Sequence, residues 1–394
     1  MERRLELDAL RGLMLVWMTL VHIPTVLTPW ANQPFGFLAA SEGFIFLSAL
    51  FTGRIYYRML SRDGSGSMLR RLSQRTFRLY CFHVVLLILL FTVAAGIARA
   101  GHAPALSHLL SYYFTVGPAR AMLDGLLLLY RPPLLDIMPL YVTFLFISPF
   151  LLLIGGKSAR RWKYLLGASV ALWVAAQFDI SLAVYHALVA YCHLQVPLDA
   201  FGAFNLWAWQ LMWVFGMWCG VRWARADLPV ERWAERAWVP ALCVALLLCG
   251  CRYAEIVYST RTGVDPGPVI LIDKWHLSIV RLVDFAAVAA LVVRFRRALE
   301  PLAVRPLVLL GQSSLYVFCA HFPFCFAGLA MIGTADHMTG WSQYALLAAA
   351  LSCLLGVAKF FARSELAIQQ RTVTASRGPL GAGALRASSR GVGS

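Results

Sequence analysis

Long apolar runs separated by short basic clusters set the pattern of this chain. Crossing the ~30 Å hydrocarbon core of a bilayer takes about 20 helical residues at 1.5 Å each. Runs of that kind recur at about 10–29, 35–53, 79–98, 135–155, 162–180, 204–223, 237–257, 275–293, 306–330 and 341–361. The pattern predicts an all-α, polytopic integral membrane protein with about ten transmembrane helices. The first run follows Arg3 and Arg4 as in a signal peptide. It has no small-residue cleavage site and carries His22, so it reads as a retained helix.

Lys and Arg orient these helices, because short loops rich in them stay in the cytoplasm. With the N-terminus inside, 28 of the 35 Lys and Arg fall in cytoplasmic segments: Arg3, Arg4 and Arg11, then 54–78, 157–163, 222–236, 294–305 and 359–390. Both termini are then cytoplasmic, and an inverted topology or a missing helix destroys the alternation. Residues 99–134, with His102, His108, Asp124 and Pro132-Pro133, become the longest external connection and are long enough to cover an outer-face site. The Gly-, Ser- and Arg-rich end predicts disorder. The chain thus divides into a membrane domain, 1–365, and a basic cytoplasmic tail, 366–394. It shows no internal repeat.

Composition agrees. With 60% hydrophobic and 14% charged residues and a mean hydropathy of +0.68, the chain lacks the polar surface to cover a water-soluble globule. The bilayer is its solvent. The net charge of +16 is scattered in clusters between apolar runs and forms no single patch, so nucleic acid is not an expected partner. The nine Cys are odd in number and lie mostly within apolar runs, with no disulfide framework. Cys192 and His193 are adjacent, but no second pair stands at ligand spacing, so no metal is expected.

Ionisable side chains inside lipid cost several kcal/mol unless paired or facing a cavity, which makes them the first functional candidates. His22 lies 11 residues beyond Arg11, or ~16 Å along a helix, in the outer half of the membrane. Glu42, about two turns into a helix entered from outside, and His321, 16 residues beyond Arg305, reach the same depth. Each alone reads as a packing residue. Together with Thr19, Ser41, Ser313, Ser314 and Tyr316 they predict a polar cavity. At the inner face, Arg71, Arg75 and Arg78 fall on one helical stripe suited to phosphate oxygens. Topology or anionic lipid alone also explains such a stripe, and Arg54 and Arg58 with it. Asp8/Arg11, Arg252/Glu255 and Arg281/Asp284 are spaced i, i+3 and read as pairs neutralised on one helix. Gly216 and Gly220 read as a helix contact, and the Trp-rich stretch 205–223 as packing.

The segment ELDALRGLMLVWMTLVHIP resembles the opening helix of the transmembrane acyltransferases of type three, with Arg11 and His22 at the family's basic and His positions. Arg75 and Arg78 match its Arg-x-x-Arg element, and GQSSLYVFCAH (311–321) its late Ser, Tyr and His segment. Within that superfamily, NQPFGFLAASEGFIFLSAL (32–50) together with ELDALRG resembles the OpgC branch, although Ala49 stands where that pattern has Gly. The resemblance implies an O-acyltransferase of the bacterial inner membrane. It would move an acyl group, expected to be succinyl from succinyl-coenzyme A, onto hydroxyls of periplasmic glucans. His22 would then be the general base, oriented by Glu42 or His321, and Arg11, Arg71, Arg75 and Arg78 would hold the donor's phosphates. Other glucan-synthesis proteins are candidate partners. Two other readings stay open: a transporter or flippase for a glycan or lipid-linked sugar, and a non-catalytic component of a glucan-synthesis assembly.

Overall fold

The computed structural model describes residues 4–101, 103–227, 230–262, 270–332 and 338–376. Among these the secondary structure is helical, apart from one isolated bridge between Phe35 and Leu38. The longer helices are α1 (Leu5–His22), α2 (Ala40–Leu89), α3 (Ile137–Gly155), α4 (Ala159–Gln177), α5 (Leu206–Ala224), α6 (Val230–Thr262), α7 (Ile279–Arg294), α8 (Arg305–Gln312), α9 (Ser314–Met331) and α10 (Ser342–Ser376). Five stretches are long and apolar enough to cross a membrane: Ala40–Arg99, Ile137–Gly155, Arg232–Ser259, Ser314–Met331 and Ser342–Arg363. A sixth qualifies if α4 and Ile180–Cys192, which meet at 80°, form one broken span. The protein is therefore all-helical and integral to the membrane. The other helices fall short for local reasons. Glu6, Asp8 and Arg11 crowd α1, α7 has 16 residues, and the run expected at 306–330 is broken at Ser313 between α8 and α9.

Helix α2 is a hairpin. Arg75 donates a hydrogen bond to Thr52 Oγ1 at 3.4 Å, yet 23 residues of straight helix would hold them ~35 Å apart. The chain reverses at Gly64, whose φ of +82° L-residues rarely adopt. The arms thus carry the runs expected at 35–53 and 79–98, and the basic segment between them is helical. The connection expected to be external is no bare loop: three short helices, Pro104–Leu109, Ser111–Val116 and Pro118–Leu126, bury Leu106, Tyr113 and Ala121. Buried Asp124 accepts from Tyr112 Oη (2.7 Å) and Arg120 Nε (2.8 Å), and exposed His108 lies on the first of these helices. His102 and residues 377–394 of the tail lie outside the described residues.

Glycines let helix backbones meet where no side chain fits. A Cβ on Gly12 of α1 would lie 2.0 Å from the Leu307 carbonyl oxygen, and one on Gly311 1.8 Å from that of Asp8. Gly53 on α2 and Gly220 on α5 seal the hairpin against α5 in the same way, while Gly216 packs against Ala49 and Phe46. The Trp-rich helix α5 is core: Trp209 and Trp213 are fully buried. These contacts press α1, the hairpin, α5, α8 and α9 together, which brings the polar positions of separate helices into register.

Candidate functional site

Two tiers of polar residues occupy this packed centre. In one, His22 ends α1 and meets His321 of α9, with Nδ1 of His22 3.0 Å from Nε2 of His321 and the rings stacked at 5.3 Å. His321 Nδ1 hydrogen-bonds the Phe318 carbonyl. A carbonyl only accepts, so that nitrogen carries the proton and Nε2 of the neutral ring is an acceptor. His22 must then donate through Nδ1. Its Nε2 keeps a lone pair, and no described residue occupies it. The chain Phe318 carbonyl, His321, His22 therefore presents one basic nitrogen in a fixed direction. Cys325, one turn beyond His321, donates from Sγ to the His321 carbonyl at 3.3 Å. The donor atoms of His22, His321 and Cys325 lie within 4.8 Å of one another. That grouping is compatible in donor type with a soft metal ion, and sequence spacing did not reveal it.

Glu42 reaches the same tier but faces Arg281. Arg281 Nε donates to Glu42 Oε1 at 2.8 Å and Nη2 binds the same oxygen, with both side chains buried. Glu42 Oε2 accepts from Ser41 Oγ (2.9 Å) and from the Ala39 amide (3.2 Å). The expected Arg281/Asp284 pair is accordingly replaced. Asp284 Oδ2 accepts from the amides of Phe37 and Leu38 at 2.7 and 3.0 Å, against Gly36, where a Cβ would come within 2.5 Å of it. Helix α7 therefore clamps the entry to α2 with one guanidinium and one carboxylate. Arg252 and Glu255 do pair as spaced, at 2.8 Å. Asp8 accepts from Gln312 across helices at 3.4 Å.

Lys274 also lies beside this tier. Its ammonium sits 4.9 Å from the Trp275 ring centroid and 5.8 Å from that of Phe204, and it interacts electrostatically with Glu42, Arg281 and Asp136 and with His22. Burial pulls its pKa below the usual lysine range. Sequence reasoning passed over Lys274 and the pairing of Arg281. A signal existed, because both belong to the few basic residues left outside the clusters expected to be cytoplasmic.

In the other tier, a cavity of about 570 Å³ is lined by Arg4, Arg11, Arg54, Arg58, Arg75 and Arg78, with Asp8 as its one acidic residue. Arg11 hydrogen-bonds Ser314 Oγ, Arg78 donates to Tyr316 Oη at 3.3 Å, and Arg54 lies over Trp223 at 3.3 Å. Arg71 is exposed on the second arm of the hairpin and does not line the cavity. Arg75, donating to Tyr141 Oη at 3.0 Å, borders both this cavity and a much smaller one of about 20 Å³, walled also by Phe44, Leu79, Leu145, Leu315 and Phe318. Phe318 is the residue whose carbonyl orients His321. The small cavity, the neck, thus shares Arg75, Ser314 and Leu315 with the basic cavity and reaches Phe318, whose ring lies 5.2 Å from that of His321; neither histidine lines it. Residues 3–365 match the family whose model is described as OpgC protein. No curated protein and no solved structure matches the chain.

Proposed function

The chain belongs to the OpgC family, and from that premise we propose that it is a multi-pass acyltransferase of the bacterial inner membrane. It moves a succinyl group from succinyl-coenzyme A on the cytoplasmic side to hydroxyls of periplasmic glucans. Ten spans with both termini cytoplasmic, a membrane domain over 1–365 and a basic tail over 366–394 complete the reading, with the six-Arg cavity opening inward. The observation that carries it is a basic cavity that borders a neck at Arg75, with Phe318 common to that neck and to the histidine relay that leaves His22 Nε2 available.

Guanidinium forks suit the several phosphates of coenzyme A, and the neck aims the thioester at the histidines. His22 Nε2 takes the proton of a glucan hydroxyl as that oxygen attacks the thioester carbonyl. Collapse of the tetrahedral intermediate breaks the C–S bond, and the leaving thiolate recovers the proton from the His22 imidazolium. His321 orients His22 and spreads the imidazolium charge toward the Phe318 carbonyl. Glu42 positions Arg281 and touches neither histidine. Direct transfer is preferred to an acyl-enzyme, because Cys325 is committed to the His321 carbonyl.

The test is transfer from succinyl-coenzyme A to purified glucan by protein in nanodiscs, read by mass. His22→Ala should lower kcat by ~10²- to 10⁴-fold, the contribution of a general base, with donor KM within about twofold and folding intact. Full activity of that variant refutes the base assignment. Absence of any transfer by the wild type favours a transporter. Chelation should leave the wild-type rate unchanged, whereas a zinc-restorable loss assigns His22, His321 and Cys325 as metal ligands.

A further inference from the structure

Lys274 is an ammonium group held in place without a counter-ion. Its turn is pinned from several sides: Trp209 Nε1 and the Asn205 amide both donate to the Trp275 carbonyl at 3.1 Å, Gln177 Nε2 donates to that of His276 at 2.8 Å, and Trp173 Nε1 to that of Leu277 at 2.9 Å. The turn closes on itself through the Ser278 amide and the Asp273 carbonyl at 3.1 Å. With the backbone so fixed, the side chain of Lys274 rests between Phe204 and Trp275. No carboxylate among the described residues comes within ion-pair distance of it. Nearby Glu42 is saturated by Arg281, Ser41 and the Ala39 amide, and Asp136 receives the Ala203 amide at 3.3 Å. Nη1 of Arg281, itself buried, also lacks a partner. A half-buried cation on a rigid turn, with an unfilled guanidinium donor nearby, is a preorganised receptor for an anion.

Resting on the acyltransferase reading, we propose that Lys274 binds the free carboxylate of a dicarboxylic acyl group, so that it sets donor specificity as the thioester carbon reaches His22. Two other anion sources fit worse. The donor's phosphates have their own six-Arg cavity beyond the neck, and a glucan hydroxyl is neutral and gains little from a bare charge. A four-carbon dicarboxylic acyl group places its carboxylate about 4 Å from its thioester carbon, three C–C bonds of ~1.5 Å each with their angles. Lys274 is close enough to His22 to act on it electrostatically, so the two ends of such a group have a side chain each to meet. Burial already disfavours the Lys274 charge, and an arriving carboxylate relieves that penalty. Binding therefore favours the dianionic over the apolar acyl chain of equal length.

The experiment compares kcat/KM for succinyl-coenzyme A and for butyryl-coenzyme A, which has the same chain length without the carboxylate. Lys274→Gln should lower the succinyl-to-butyryl ratio by about 10- to 100-fold, in the range for loss of one charge-assisted contact. Lys274→Arg should keep most of it. A ratio unchanged in Lys274→Gln, with both donors slowed together or neither, overturns the assignment. The wild-type protein supplies a second reading independent of any variant's folding: succinate should inhibit butyryl transfer at least tenfold better than butyrate, and equal inhibition overturns the proposal. Wild-type protein that uses neither thioester overturns the acyltransferase reading itself. Transfer from both donors with an unmoved ratio overturns the role of Lys274 alone.

Discussion

Replacing Glu42 with Gln tests whether the tier around Glu42 and Arg281 is dry. The variant keeps the size of the side chain and an oxygen for the Ala39 amide, but removes the charge opposite Arg281. Arg281 is 0% exposed and has an unpaired Nη1 already. Stranding a buried charge in this way costs about 3–5 kcal/mol, two to three and a half decades in the unfolding equilibrium. Arg281→Met should cost less, because Glu42 keeps the Ser41 and Ala39 donors. The double variant should approach the stability of the wild type, since a buried ion pair and a well-packed neutral replacement are often equivalent. The cycle should then yield a coupling of at least about 3–5 kcal/mol, the cost of the stranded charge itself. Titration of reconstituted protein with a denaturing detergent, followed by Trp fluorescence, measures all four proteins. A coupling below about 0.5 kcal/mol, the scale of solvated pairs, refutes the reasoning and means that water fills this tier.

Two further outcomes are expected. Arg75→Ala and Arg78→Ala should each raise donor KM about tenfold, the range of one charged hydrogen bond, and wild-type donor KM should itself rise with salt. Arg70→Ala, exposed and outside the cavity, should leave it unchanged, and an equal rise there removes the phosphate role. The second concerns His276, which the Asp273 carboxylate holds above its ordinary pKa of 6.5 through a 2.5 Å hydrogen bond, against the opposing pull of burial and with help from the charge of Asp179. A raised pKa means that the stabilisation is complete below about pH 6.5 and disappears as pH rises through the folded value. Hydrogen exchange at the Leu277 and Ser278 amides, corrected for intrinsic rates, should accelerate in that upper window and lose this dependence in His276→Gln. A flat profile in the wild type ends the argument.

The five stretches long and apolar enough to cross a membrane were readable because a helix in lipid must satisfy its own backbone, so sequence length translates into element length. Depth was readable too: counting residues from basic ends placed His22 and His321 on one level, and they lie 3.0 Å apart. What such counting cannot supply is azimuth. Glu42 shares their level, yet its partner is Arg281, 239 residues away, because an i, i+3 spacing guarantees proximity on one helix and says nothing of a stronger partner across the bundle. The same limit hid Cys325 beside the histidines and placed Arg71 among the cavity arginines when it points elsewhere. The reversal at Gly64 was obscured by its polar, exposed surroundings, which look like a loop even where the chain stays helical on both sides.

The smallness of the neck bears on the cell's energy supply. Each proton that crosses a membrane charged to 100 mV dissipates ~2.3 kcal/mol, and a pair of imidazoles joined to an open aqueous bore would be an efficient leak. With about 20 Å³ of free space, room for about one water molecule, the neck supports no continuous file of water. Apart from Tyr141 and Ser314 its walls are Phe and Leu, which offer an entering ion little to replace its hydration shell, and the guanidinium of Arg75 at its border repels hydronium as well as metal cations. In the proposed reaction the neck opens only around an apolar thioester arm, so the substrate serves as its own stopper and acyl groups pass without discharging the membrane.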